Sequence, residues 1–375
     1  LSTGIANKTV PFFDYKAFYA SQETEFSAAI DDVLQRGAFI MQKDLREFET
    51  ALASYLGVKH AIGMSNCTDA LIVALKTAGI GPGDEVIFPS HTFVASPSSI
   101  HWAGATPIPV ECGPDHLIDP DAIKRAVTSK TKAIMPVSLN GRTCNFDPIL
   151  QIANEHGLKI VEDSAQALGS KYKGRFAGTF GSAGTFSFYP AKILGCFGDG
   201  GALVTNDDEV AYKTKLYRDH GRDDETGDVE QWGFNFRLDN LQAAILHVQF
   251  KNYDAIIDRR RQIAAMYQKG LNDLAQMTLP PAPDSDPDHF DVYQNYEVEA
   301  DHRDELRAFL KDNGIGTLVQ WGGKAVHQWE KLGFEVSLPI TEKIFERCFL
   351  LPINMFVSDD DVQYVMEKVR KFYAP

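Results

Sequence analysis

Between residues 61 and 205, apolar positions fall into short runs separated by amphipathic stretches of about ten residues. The runs Ala61–Ser65, Glu85–Pro89, Thr106–Val110, Ala133–Leu139, Lys159–Glu162 and Ala202–Thr205 are too short for helices and read as strands. Thr68–Ala78, Val94–Ala103, Pro120–Val127 and Asp147–His156 read as helices, and Gly81-Pro82-Gly83-Asp84 as a turn. Strands alternating with helices in this way predict an α/β fold, a mostly parallel central sheet flanked by helices on both faces. Ligands of such sheets sit outside the carboxyl ends of the strands. That rule brings Asn66-Cys67-Thr68, Ser90-His91-Thr92-Phe93 and Asp163-Ser164-Ala165-Gln166 to one rim.

Outside this region the periods change. Residues 22–56 read as two helices around Gly37-Ala38-Phe39-Ile40, the second ending at Gly57. Residues 239–270 read as one long helix with Leu241, Ala244, Ile245, Val248, Tyr253 and Ile256 as its apolar stripe. Its Asp258-Arg259-Arg260-Arg261 run is expected on a solvated face. A proline-rich loop over 279–287 is followed by a strand (293–299), a helix (304–313), a strand (317–321) and a helix over 359–372 capped by Ser358. The pattern predicts a large α/β domain over residues 1–250, with N-terminal helices, and a smaller α+β domain over 251–375.

Composition removes several classes of function. A net charge of -14 argues against nucleic acid or an anionic membrane as partner, while leaving room for a small phosphate held by local donors. No apolar run reaches the ~18 residues of a membrane span, and Leu1–Lys8 lacks the layout of a signal peptide. The five cysteines, scattered and without a C-x-x-C pair, predict neither a disulfide framework nor a zinc ribbon. No metal site is expected, and the cysteine pattern fits a reducing cytoplasm. The Asn7-Lys8-Thr9 and Asn66-Cys67-Thr68 sequons carry no weight without a secretion signal. No G-x-G-x-x-G lies between an early strand and helix, and Gly323-Lys324 lacks the upstream glycines of a P-loop, so neither a nicotinamide dehydrogenase nor a P-loop enzyme fits.

One stretch stands out chemically. Lys192 follows Phe186-Ser187-Phe188-Tyr189-Pro190-Ala191 and enters a glycine-rich turn leading back to a strand. Shielded by Phe186, Phe188 and Phe197, its amine would be held partly neutral and could condense with a carbonyl as a Schiff base. Taken singly, each candidate has a plainer reading. Lys192 fits a surface turn, Asp163 a helix cap, Asn66-Cys67-Thr68-Asp69 an ordinary helix start and Phe93 the core. Together they supply what pyridoxal phosphate requires: an amine, a carboxylate for the ring nitrogen, phosphate donors and a flat side chain.

The order of these stretches decides between the two readings. Asn66–Leu71, Gly79–Val86, Pro89–Ala95, Glu162–Ala167, Thr185–Lys192, Gly198–Ala202 and Gly233–Asp239 together resemble the DegT/DnrJ/EryC1/StrS sugar aminotransferases. These are a branch of the pyridoxal-phosphate aspartate aminotransferase superfamily (fold type I), and the likeness covers nearly the whole chain. It implies that Lys192 carries the cofactor and then moves the proton, that Asp163 pairs with the ring nitrogen, and that Gln166 contacts the ring or its hydroxyl. Ser187 and the Cys67-Thr68 backbone are implied to hold the phosphate, Phe93 to stack on the ring, and Asn235 to reach the phosphate of a neighbouring subunit in a homodimer with shared active sites. Tyr189, Arg237 and His327 are the implied substrate contacts.

The implied reaction moves an amine from L-glutamate, released as 2-oxoglutarate, through pyridoxamine phosphate to a nucleotide-linked 3- or 4-keto-deoxysugar. Its product is an amino sugar for O-antigen, other surface polysaccharide or a glycoside. Ser187-Phe188-Tyr189-Pro190 leans towards the 3-keto enzymes. Cys67, Cys196 and Ile193 depart from the family's more usual Gly or Ala, Gly or Ala, and Asn, and either thiol would be oxidation-sensitive if exposed. Dehydratases of this fold carry histidine in place of the lysine, so Lys192 favours amino transfer over dehydration. A cyclitol aminotransferase and a cofactor-binding regulator are also compatible with these residues.

Overall fold

The fold is seen in a computed structural model that describes residues 8–374. The Asn7 sequon and most of Leu1–Lys8 lie outside the described residues. Seven strands form the central sheet: β1 (His60–Met64), β2 (Glu85–Pro89), β3 (Thr106–Val110), β4 (Thr131–Ile134), β5 (Lys159–Asp163), β6 (Ala183–Ser187) and β7 (Gly201–Thr205), in the order β1-β7-β6-β5-β4-β2-β3. Neighbours within the β3–β6 part are parallel, and β7 runs antiparallel to both β6 and β1. Antiparallel neighbours need no crossover helix. The connection from β6 to β7 is therefore free to form the loop that carries Lys192.

Both faces of the sheet are covered, which is why its strands read as continuous apolar runs. Val86 and Phe88 pack into one core with the helices Cys67–Thr77 and Ala95–Ala103, while Ile87 between them faces a second core with Ile134, Ile149 and Ile160. Leu203 and its neighbours Ala202 and Val204 divide in the same way.

A second, three-stranded sheet joins Met277–Thr278, Tyr296–Ala300 and Cys348–Leu351. Its core is filled by Val298, Leu306, Phe349 and Val365, and by Tyr267 from the helix Tyr253–Leu271. Val10 joins this core and pairs with Ile315, so the N-terminal segment packs with the C-terminal sheet although the sequence groups it with the large domain.

Three other elements differ from the sequence reading. The expected helix over 239–270 is two, Asn240–Phe250 and Tyr253–Leu271, and at the break Tyr253 turns inward to donate its hydroxyl to the Leu168 carbonyl at 2.8 Å. The expected strand over 317–321 is a single bridge from Leu318 to Leu350, because left-handed Trp321 (φ 51°) and Gly322 (φ 70°) end the extended backbone. The arginine run is no solvated face. Arg260 is buried and donates to the carbonyls of Tyr293 and Gln294, and Arg261 donates to that of Asp291. Each such bond occupies a carbonyl that the loop cannot pair within itself. Among the described residues no helix is long and apolar enough to cross a membrane.

The two sheets meet at a charged pair, His116 and Glu297, 2.8 Å apart. Burial pulls the His116 pKa down, but its hydrogen bonds to Glu297 and Glu299 outweigh that and raise it to about 10. A folded-state pKa above the unfolded value of about 6.5 stabilises the fold fully below that pH, and the contribution fades as pH rises through about 10. The difference in unfolding temperature between the native chain and His116→Gln should therefore shrink steadily across that interval.

Candidate active site

The rim of the sheet is built around the helix Cys67–Thr77. Asn66 caps it, accepting from the Asp69 N–H at 2.9 Å, and its amide and the Ser65 hydroxyl both donate to Asp69. The N–H groups of Cys67 and Thr68 have no acceptor among the described residues. Such free donors at a helix start suit an anion. Gly201 at the start of β7 presses against this turn, where a Cβ would come within 2.5 Å of the Asn66 carbonyl carbon and 2.6 Å of the Cys67 nitrogen. Only glycine allows that approach. Ser187 lies opposite Gly201, and its hydroxyl accepts from the Tyr189 N–H at 3.3 Å, which leaves the hydroxyl proton to donate elsewhere. The Cys67 thiol donates to Thr185 at 3.4 Å, tying the helix start to β6.

Asp163 ends β5 in a buried position. One carboxylate oxygen accepts from the Ser96 hydroxyl at 2.6 Å, the other from the Ala165 N–H at 3.2 Å. Ser96 has one proton and gives it to Asp163, so the 2.7 Å contact between Thr92 and Ser96 must run from Thr92 to Ser96. Burial raises the Asp163 pKa, against Ser96, the Ala165 N–H and Lys192, and the balance stays above the ordinary value. A cation facing this carboxylate would reverse that balance. Removing the Ser96 hydroxyl should weaken binding of such a cationic ring by about tenfold, the usual worth of one charge-assisted hydrogen bond. Reconstitution titrations of Ser96→Ala measure this, and Ser96→Thr should restore it.

Lys192 is pinned through its backbone. Its N–H donates to Tyr189 O at 2.8 Å, and the Gln294 side chain clasps both flanks, accepting from Ile193 N at 2.8 Å and donating to Ala191 O at 2.9 Å. Phe186 and Phe188 are buried in the core, and Phe197 packs edge-on against Phe26 at 4.9 Å, so all three anchor this loop. The amine has no ion-pair partner among the described residues. Burial lowers its pKa against the pull of Cys67 and Asp163, so it is neutral at a lower pH than an ordinary lysine. Lys192, Gln166, Ser187 and Ala165 line one narrow cleft.

Gln166 is oriented without ambiguity. Its Oε1 accepts from the Asn140 N–H at 2.8 Å and from Asn295 Nδ2 at 3.3 Å, so its amide N–H groups remain as donors. Phe93 follows β2 and presents an exposed ring, 6.3 Å from that of Trp321.

The remaining candidates divide. Tyr189 is exposed beside Ser187. Asn235 is exposed, bridges Asp219 through its backbone, and makes no hydrogen bond to the groups above within one chain. Arg237 bridges Met64 beside the helix start and spends Nη1 on Asp219 at 2.9 Å. His327 is buried, with Nδ1 on the Ser90 hydroxyl at 2.7 Å and Nε2 on Glu342 at 3.0 Å, so neither ring nitrogen is open to a substrate. It holds the turn after β2 in place. Cys67 and Cys196 are buried, and burial pushes both thiols up, Cys196 to about 12, so neither offers a thiolate to oxidants.

Sequence reasoning missed Ser96, Asn140 and Gln294. The spacing of Thr92 and Ser96, four residues apart where a helix begins, could have signalled a shared face for two hydroxyls. The other two act across long sequence separations.

The sequence pattern of the DegT/DnrJ/EryC1/StrS aminotransferase family matches residues 20–370. The chain belongs to this family. It is 40% identical to a pleiotropic regulatory protein of Geobacillus stearothermophilus, over 97% of this chain and 98% of that one. It is also 40% identical to the dTDP-3-amino-3,4,6-trideoxy-alpha-D-glucose transaminase of Streptomyces venezuelae, over 99% and 98%. The crystal structure of S. venezuelae DesV in complex with a ketimine intermediate superposes with a TM-score of 0.93 at 40% identity, covering 97% of this chain and 98% of that one. As in the DegT/DnrJ/EryC1/StrS family generally, the cofactor is pyridoxal 5'-phosphate and the enzyme is an aminotransferase of fold type I. The residues fit that cofactor: an unpaired amine, an amide donor and a hydroxyl line one cleft, and the buried Asp163 carboxylate and Cys67 at the helix start lie near enough to act on the Lys192 charge.

Proposed function

We propose that this enzyme transfers the amino group of L-glutamate to C3 of a nucleotide-linked keto-deoxysugar. The carrying observation is the half-buried Lys192 amine, its pKa lowered and its backbone clasped by Gln294, in one cleft with Gln166 and Ser187. The likeness to a transaminase named for a 3-amino sugar supports C3 over C4.

When bound, pyridoxal phosphate supplies a carbonyl that captures amines and a ring that stabilises negative charge on the neighbouring carbon. The protein's part is then positional and protonic. The Cys67 and Thr68 N–H groups and the Ser187 hydroxyl would hold the phosphate, and Phe93 would cover the ring. Asp163 keeps the ring nitrogen protonated, and Gln166 donates to the ring hydroxyl. Lys192, as a neutral amine, would take the proton from the amine-bearing carbon of glutamate and return it to the carbon that had supplied the carbonyl. It repeats this in reverse for the sugar. In this reading Tyr189, exposed beside Ser187, and Arg237, beside the helix start, contact the substrate.

The assembly we favour is a homodimer with shared sites. Trp232 is 95% exposed and Val229 71%, on the same segment as Asn235. Large apolar side chains left in solvent suit a second copy of the chain, whose phosphate site Asn235 would then complete. We place the reaction in the cytoplasm, supplying amino sugars for O-antigen or other polysaccharide and glycoside synthesis.

The test supplies 15N-labelled L-glutamate with dTDP- or UDP-linked 3-keto sugars, 4-keto sugars or a cyclitol ketone, and follows the label by mass spectrometry. Label in the 3-keto product with equimolar 2-oxoglutarate is expected. Label only in a 4-keto sugar or a cyclitol ketone, or loss of water without label, would replace the proposal with the corresponding reaction. No turnover with any acceptor would favour a regulator.

A further inference from the structure

Asn140 lies in the turn Leu139–Gly141 that follows β4, with φ 56° and ψ 11°. This left-handed backbone is costly for most residues and tolerated by asparagine. Every polar atom of Asn140 is engaged. Its N–H donates to Gln166 Oε1 at 2.8 Å, and its Nδ2 donates to Glu297 Oε2 at 2.8 Å. Its Oδ1 accepts from Asn295 Nδ2 at 2.9 Å and Gln320 Nε2 at 3.1 Å, and its carbonyl accepts from Asn295 N at 3.4 Å.

Glu297, on the strand Tyr296–Ala300, anchors this arrangement. It is buried and accepts from His116 Nδ1 at 2.8 Å and Gln320 Nε2 at 2.9 Å as well as from Asn140, with His91 Nε2 at 3.5 Å. An ionised carboxylate only accepts, so Asn140 must turn its amide nitrogen towards Glu297 and its oxygen towards Asn295 and Gln320. The Asn140 N–H in turn obliges Gln166 to present its oxygen there and its NH2 elsewhere. Glu297 thus fixes the sense of the Asn140 side chain, and the Asn140 N–H, which can only donate, fixes that of Gln166. A cavity of about 360 Å³ borders Asn140, Asn295, His116 and Glu297. Leu139 packs into the core on one side of the turn, so on the cavity side it is the hydrogen bonds of Asn140 that hold it.

We propose that Asn140 is a positioning residue that aims the Gln166 amide at the cofactor ring, and that Glu297 holds Asn140 in that pose from the second sheet. The inference rests on the reading of Gln166 as the donor to the ring hydroxyl. A charge on the second sheet thereby holds the turn that aims Gln166 at the rim of the first.

The test uses the holoenzyme and the pH midpoint at which its visible absorption band changes form. A donor to the ring oxygen stabilises the oxygen's anionic state, so losing that donor should raise the midpoint, by about one unit. Gln166→Ala is expected to show the full rise. Asn140→Gly, which keeps the left-handed backbone accessible, and Glu297→Gln, which keeps the volume, should each show at least half of it. Adding Asn140→Gly to Gln166→Ala should shift the midpoint no further, because both act through one donor. A purely structural Asn140 would lower the unfolding temperature and leave the midpoint in place, which overturns the inference alone. A midpoint unmoved by Gln166→Ala overturns the reading of Gln166 and the inference with it.

Discussion

Lys192→Ala should lower kcat by at least about 10⁴-fold, the upper range for loss of a single positioned general base. The cofactor should still bind, because the Cys67 and Thr68 N–H groups, Ser187 and Asp163 are untouched. The cause is local. Lys192 is the lysine that lines the cleft with Gln166 and Ser187, and burial lowers its pKa so that a neutral amine is available. Lys192→Arg should be equally inactive, since guanidinium stays protonated across the working range. Single-turnover mixing of each variant with L-glutamate measures the step directly. Rates within tenfold of the native enzyme would mean that another group moves the proton.

Asp163→Asn should rank second, with kcat/KM down by about 10³-fold and weaker cofactor binding. The carboxylate is buried, so its charge acts through a medium that screens little. Ser96 and the Ala165 N–H already hold both its oxygens, so the asparagine amide must turn an N–H towards one of these donors or into the cleft. A neutral amide cannot keep the ring nitrogen protonated, and the electron sink weakens accordingly. Asp163→Glu should lose less, because it retains charge while displacing it. Equal losses in the two variants would point to packing rather than charge as the role of Asp163.

The strands were legible because their causes are local. Runs such as Val86-Ile87-Phe88 announce a doubly covered sheet, since successive residues serve different cores. Lys192, Asp163, Gln166 and Ser187 were singled out through motifs in a fixed order, and the structure places Lys192, Gln166 and Ser187 along one cleft. What failed depends on distant partners. The break at Lys251-Asn252 has no Gly or Pro to mark it, because the apolar stripe continues on both sides. The arginine run looked solvated because its acceptors, the 291–294 carbonyls, lie some thirty residues further along the chain. His327 looked available because its partners Ser90 and Glu342 are brought to it only by the fold.

Whether Lys192 holds the cofactor and yields it to L-glutamate decides everything proposed for this site. Borohydride reduction of the purified holoenzyme, with and without prior L-glutamate, followed by peptide mass mapping, answers it. A reduced cofactor adduct on Lys192 that disappears when glutamate is added first is the expected result. An adduct on another lysine, or one on Lys192 that glutamate leaves undiminished, would contradict it.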